Sequence, residues 1–240
     1  MPLYTYIDTH AHLCDEAFSG EEEQILKKAQ EAGIRLILQP DIDSSERDRM
    51  FALEARFPSM LRSMAGLYPG SVTESWEDEV SAVEQAALSH KVVAIGEIGL
   101  DYHYSKDMAE LQKAALKAQF ELAARLDLPV NIHERDATDD FFEVLDSCKG
   151  LGLRGNMHAF SGSYETFMRL QKYGEWLNRR RGDIQERRRG RIREKDSAGP
   201  YCFGDRFSLP CSGSLQGKAE RQFVHTGHRG EGGTAERNQR

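Results

Sequence analysis

The chain has 240 residues, a formal net charge of −7 and 39% hydrophobic residues, a size and balance that suit one large domain, and β/α barrels commonly reach this length. It holds no run of about 18 apolar residues, so no membrane span is expected, and residues 1–12 carry neither a basic nor an apolar leader segment, so no secretory signal is expected. The four cysteines, Cys14, Cys148, Cys202 and Cys211, are scattered without a C-x-x-C pair, which points to a reduced, cytoplasmic setting.

In chain order, residues 4–8 (YTYID) form a short apolar run ending in polar residues, which predicts a strand. Residues 20–31 then place Ile25, Leu26 and Ala29 on one helical face. Residues 34–38 (IRLIL) read as a second strand and 44–56 as a helix. A third strand is expected over 61–67, a helix over 76–89, and a buried fourth strand over 92–95 (VVAI). Residues 109–126 give a strong amphipathic helix, 129–132 a fifth strand and 139–145 a helix. A weaker sixth strand over 153–157 precedes a helix over 163–173. Alternation of this kind implies parallel strands joined by crossover helices. Six such units, with no dinucleotide glycine fingerprint after the first strand, favour an α/β fold of the TIM-type (β/α)8 barrel kind over a doubly wound sheet.

The remaining chain shows no matching seventh and eighth units. Residues 1–174 hold 17 Lys+Arg against 30 Asp+Glu, whereas residues 175–240 hold 15 against 9. Thirteen of those fifteen are arginine, and ten of the chain's 21 glycines fall in the same stretch. The expectation is therefore an incomplete barrel of about six units over residues 1–174, followed by an irregular Arg/Gly-rich tail over 175–240 that is unable to form a packed core.

The chemistry is expected at the C-terminal ends of the strands, where barrel enzymes keep it. Asp8-Thr9-His10-Ala11-His12 closes the first strand, and alternation sends His10 and His12 to the same side, so that two imidazoles can bind one metal ion. Glu97 ends the fourth strand in IGEIGLDYH, where Gly96 and Gly99 let the backbone crowd close to a ligand. His133 ends the fifth strand in NIHERD and His158 the sixth in NMHAFSG. A lone histidine at a strand end is more often structural, but five candidate ligands on one rim from four strands form a pattern. Nitrogen and oxygen ligands without thiolate suit Zn²⁺, Mn²⁺ or Mg²⁺, and a carboxylate among them suits a bridged pair. Cys14, two residues past His12, is read as packing. Arg135, two residues beyond His133 on the same rim, can contact a phosphate or form a surface salt bridge.

Taken together, DTHAHL, GEIGLDYH, PVNIHERDA and HAFSGS resemble, in order and spacing, the TatD family of metal-dependent deoxyribonucleases in the amidohydrolase superfamily, over about residues 4–174. The resemblance implies an eight-stranded barrel holding two divalent metal ions (Mg²⁺, Mn²⁺ or Zn²⁺). It implies that His10 and His12 bind the first metal, Glu97 bridges and acts as the catalytic carboxylate, and His133 with His158 bind the second. The implied reaction is metal-assisted hydrolysis of a DNA phosphodiester, exonuclease-like, with DNA as partner, no membrane and no obligate protein partner. Other hydrolases of the same superfamily, and an inactive remnant, stand as alternatives. Two positions depart from the family pattern: Gly66-Leu67-Tyr68-Pro69 replaces G-x-H-P, and His158-Ala159-Phe160-Ser161-Gly162 replaces H-C-F-S-G.

The family also has a later E-T-D, whose aspartate completes the first metal site, and neither it nor the segment that follows it is present; Asp205 stands near the expected place by coincidence. Reading the codons one base later, NRRRGDIQERRRG permits TGGVVTFKNAGE, and IREKDSAGPYCFGDRFSLPCSG permits EFVKRIPLDRIASETDSPYLAP. The expectation is that the tail is an out-of-frame product, with the slip around residues 175–177.

Overall fold

The structure is a computed structural model, and it describes residues 6–178. The predicted strand positions 4 and 5, Asp205 and the rest of the tail from residue 179 lie outside the described residues. Strands and helices alternate as β1 (Tyr6–Asp8), α1 (Glu22–Glu31), β2 (Ile34–Gln39), α2 (Ser44–Arg56), β3 (Leu61–Ser63), α3 (Trp76–Ser89), β4 (Ile95–Asp101), α4 (Ala109–Arg125), β5 (Val130–Arg135), α5 (Thr138–Ser147), β6 (Arg154–Met157), α6 (Tyr164–Leu170) and β7 (Glu175–Asn178).

All pairings are parallel and follow sequence order: β1-β2-β3 form one sheet and β4-β5-β6-β7 the other. A single parallel bridge, Ala65 to Ile95, joins the two. A doubly wound sheet reverses its strand order at a switch point. An order that never reverses is that of a barrel wall, and the described residues form a partial TIM-type barrel.

Three differences from the sequence expectation have physical causes. The predicted third strand over 61–67 is cut to Leu61–Ser63: Met64 N–H still bonds β2 at Gln39 O (2.8 Å), but Ala65 N–H turns to Ala94 O at 3.3 Å. The fourth strand begins where the prediction ends it. Val92 is an apolar residue of the approach, and the ladder proper is IGEIGLD, buried along nearly its whole length. A seventh strand also exists: Glu175–Asn178 pairs with Arg154–Met157, and Trp176 packs into the core. EWLN has only two apolar residues between polar ones and no apolar run, so the sequence pattern stops one strand short.

Gly96 and Gly99 are needed, but for a different reason from the one expected. A Cβ on Gly99, which has φ of 151°, would lie 1.8 Å from the His133 carbonyl oxygen, and one on Gly96 would lie 2.6 Å from Asn131 Cβ. These glycines let β4 approach β5, not a ligand. The core centres on α4 and α5 against β4–β6, with Leu116, Phe120, Phe141 and Phe142 fully buried among Ile98, Leu100 and Ile132. On α4, Gln112 and Gln119 share this buried face. Gln119 accepts from Leu67 N–H at 2.7 Å, and Gln112 accepts from Asp101 N–H at 2.9 Å. Two buried amides thereby tie the ends of the third and fourth strand segments to the same helix.

Candidate metal centre

Glu97 lies at the middle of the site. It is the third residue of β4 rather than its end, within the register shift between Ile95 and Ile98. Its backbone is fixed from the second strand: Glu97 N–H donates to Asp41 O at 3.1 Å, and Asp41 N–H donates to Gly96 O at 3.1 Å. Asp41 in turn is held by Arg47 Nε at 2.5 Å in a buried ion pair. The Glu97 side chain is buried, and its two oxygens face different partners. Oε2 lies 3.4 Å from His10 Nε2 and 3.1 Å from His12 Nε2. Oε1 lies 3.0 Å from His133 Nδ1 and 2.6 Å from His158 Nε2. The five predicted ligands therefore converge in two groups of three, His10–His12–Glu97 and Glu97–His133–His158, whose ligand atoms lie within 4.8 Å of one another.

The histidines reach this point by different routes. Strand β1 stops at Asp8, whose Oδ1 accepts from His10 N–H at 3.1 Å, and Ala11 N–H bonds Leu38 O on β2. His10 and His12 thus project from a short turn beyond the strand, not from the strand itself. Their Nε2 atoms still meet at 3.1 Å. His133 lies inside β5, and His158 follows β6 directly, with its N–H on Ile132 O at 2.9 Å.

Neighbouring groups set the direction of two rings. Asn131 Oδ1 stands 2.8 Å from His10 Nδ1, so His10 donates there and turns the Nε2 lone pair toward Glu97. Asp101 Oδ2 stands 2.8 Å from His133 Nε2, so His133 presents Nδ1 instead. Burial alone would push the His133 pKa down, but its hydrogen bonds with Asp101 and Glu97 overcome this and push it up to about 9. Burial likewise pushes the Glu97 carboxyl up, and His10 and His158, with hydrogen bonds from His10 and His12, hold it well below the usual carboxylate range.

The fit to a cation can be judged from the nitrogens. His10 faces His12, and His133 Nδ1 faces His158 Nε2, each pair at 3.1 Å. Two imidazole lone pairs repel at that distance unless a proton or a cation lies between them. Tetrahedral ligation at 2.0–2.1 Å brings two nitrogens to about 3.3 Å. The donor set, four nitrogens and one carboxylate without thiolate, suits a divalent ion of the kinds expected. Cys14 is buried, and burial pushes its thiol up to about 12, which fits packing rather than ligation.

Three neighbours of the cluster are not among the expected site residues, although Tyr68 marks a departure from the family pattern. Asp101 could have been found, because 97, 99 and 101 share one face of an extended strand. Tyr68 stands where the family pattern has histidine. Its ring meets His133 edge-on with centroids 5.2 Å apart, and its hydroxyl donates to Asp101 Oδ2 at 3.3 Å. Burial, with Glu97 and Asp101 nearby, pushes that hydroxyl's pKa up, so it stays a donor. Asn131 had no signal beyond being two residues before His133. Arg135, the last residue of β5, is exposed and lies with its guanidinium 5.7 Å from the Tyr104 ring centroid, not among the ligands.

A parallel β/α barrel wall with histidines and a carboxylate gathered within and just beyond its strands is the arrangement of a barrel metal-dependent hydrolase. The TatD related DNase family model matches residues 7–178, and the chain belongs to that family. It is 30% identical over 171 residues to the uncharacterized metal-dependent hydrolase YabD of Bacillus subtilis, covering 71% of this chain and 67% of YabD. It is 36% identical over 159 residues to the 3'-5' ssDNA/RNA exonuclease TatD of Erwinia billingiae, covering 66% of this chain and 60% of that protein. The crystal structure of YjjV, a TatD homolog from Escherichia coli, superposes with a TM-score of 0.65 at 32% identity, covering 72% of this chain and 66% of YjjV. The match thus spans about two thirds or less of these relatives' length. No helix among the described residues is long and apolar enough to cross a membrane.

Proposed function

We propose that the site is a two-metal centre for hydrolysis of DNA phosphodiesters, in the exonuclease-like manner that the TatD name of relatives denotes. The observation that carries this reading is the split of Glu97, one oxygen toward His10 and His12 and the other toward His133 and His158. A carboxylate so placed can bridge two ions, and two divalent ions supply Lewis acidity to a phosphoryl oxygen and acidify water. His10 and His12 would hold one ion, His133 and His158 the other, with Glu97 shared. Asp101 and Asn131 keep His133 and His10 in the tautomers that offer lone pairs to the centre. Tyr68, kept protonated, can donate to an anionic oxygen beside His133. Arg135 is assigned to a substrate phosphate. The setting is proposed as cytoplasmic, consistent with Cys14 and Cys148 both being free and buried.

The proposal for residues 175–240 stays as the composition gives it, an out-of-frame tail that lacks the last aspartate of the first ion's ligand set. The family match ends at residue 178. The test compares the 240-residue chain with a frame-restored version, measuring Mn²⁺-dependent hydrolysis of single-stranded DNA. The restored protein should cut and the 240-residue chain should cut far more slowly or not at all. A restored, Mn²⁺-loaded protein that leaves single-stranded DNA intact would overturn the nuclease reading. Equal rates for the two would overturn the reading of the tail.

A further inference from the structure

The loop after β4 carries two tyrosines with opposite fates. Tyr102 is 6% exposed, its N–H donates to Arg135 O at 3.0 Å and its hydroxyl donates to Asp140 Oδ2 at 2.9 Å. Tyr104, two residues later, is 72% exposed. The ring is not loose: His103 meets it edge-on with centroids 4.7 Å apart, and the Arg135 guanidinium lies 5.7 Å from its centroid. The base of this loop is tied to the metal centre. Asp101 uses one oxygen for His133 and the other for His103 N–H at 2.9 Å, and His103 Nδ1 engages Asp136 Oδ2 at 3.0 Å. Two residues separate Tyr104 from Asp101, so the Tyr104 Cα is within about 11 Å of the Cα of a residue that touches His133.

We propose that Tyr104 and Arg135 form a stacking subsite for one nucleobase of a single-stranded polynucleotide, beside the phosphodiester held at the metal centre; this rests on the nuclease reading above. An aromatic face left open to solvent beside a guanidinium is the pair that single-strand binders use: the ring stacks on a base and the cation meets the backbone. Arg135 lies over one side of the Tyr104 ring and His103 meets it in a T-shaped contact, while the ring's 72% exposure leaves area for a base and the loop's anchoring contacts lie on Tyr102 and Asp101. Every base has a π face, so the subsite selects single strands, in which bases are free to leave their partners, and not sequence.

The test measures binding by the full 240-residue chain in EDTA, where no hydrolysis occurs. The probes are a fluorescent pentadeoxythymidylate and its counterpart with all five bases removed, which carry the same phosphates. The wild type should prefer the base-bearing probe by about tenfold. Tyr104→Trp should keep that preference, and Tyr104→Ala should reduce it to near unity while circular dichroism and melting stay as in the wild type. Any binding contributed by arginines elsewhere is common to all variants. An undiminished preference in Tyr104→Ala, or no preference in the wild type, overturns the subsite alone. Neither probe binding, together with no cleavage by the frame-restored protein, overturns the nuclease reading and the subsite with it.

Discussion

The two sheets of the barrel wall both contribute to the candidate metal centre, two residues from one and three from the other, and differ in how they are built. The β1–β3 side gives His10 and His12 from beyond a three-residue strand, and it carries buried polar side chains, Gln39 and Ser63, that find no hydrogen-bond partner among the described residues. The β4–β7 side gives Glu97 and His133 from inside long ladders and His158 directly after β6, backed by the main apolar core. Among the described residues they are joined by the Ala65–Ile95 bridge, by backbone exchanges around Asp41, Ala65 and Gly96, and by Asn131, which meets both His10 and Thr9. The lesson is that a rigid half fixes the shared carboxylate, and the other half brings its two histidines up to that carboxylate.

Glu97→Ala gives the largest expected effect, since it removes the one group common to both halves. In the frame-restored protein, hydrolysis of single-stranded DNA should fall below about a tenth of wild type, and Mn²⁺ titration should show both halves weakened. Retention of more than that would mean that the two histidine pairs work without a bridge.

Phe120→Ala sharpens the comparison through stability. Phe120 is fully buried in the β4–β7 core, and its truncation should cost about 3–5 kcal/mol in urea denaturation. Ile37→Val, on the β1–β3 side where Ile37 is 3% exposed, should cost about 0.5–1.5 kcal/mol. A loss well below about 3 kcal/mol from Phe120→Ala would show that the β4–β7 core does not depend on this ring.

A smaller, directional effect is expected from Asp101→Asn. It takes away the charge that fixes the His133 tautomer and leaves His10 and His12 untouched, so metal affinity should drop by about 10–100-fold at one half only. Calorimetry that finds both halves weakened alike would contradict an independent second half. Tyr68→Phe should be the mildest change. It deletes one long hydrogen bond of 3.3 Å and keeps the ring on His133, so kcat/KM should fall only a few-fold, about 1 kcal/mol or less. A loss as large as that of Glu97→Ala would give the hydroxyl a direct part in the reaction.

Local pattern was enough for the order of elements and for picking out five side chains that the structure brings together. The helices over 44–56 and 76–89 have the expected bounds, because an amphipathic stripe and its flanking signals are properties of neighbouring residues. His10, His12, Glu97, His133 and His158 stood out because ligand-type side chains recur beside successive strands, and the structure gathers all five. The fourth strand's true bounds were hidden: VVAI is more apolar than IGEIGLD, yet the ladder depends on the glycines that let β4 approach β5, and periodicity does not register such an approach.

What the sequence determined by itself is therefore the alternation of strand and helix and the residue types available at the rim, since both are encoded within a few positions. Only the tertiary structure decided that Glu97 turns one oxygen to each histidine pair, that His133 offers Nδ1 while His10 offers Nε2, and that Asp101, Asn131 and Tyr68 stand behind them. Those outcomes depend on rotamers and strand register set between residues as far apart as His10 and Asn131, where no local pattern reaches.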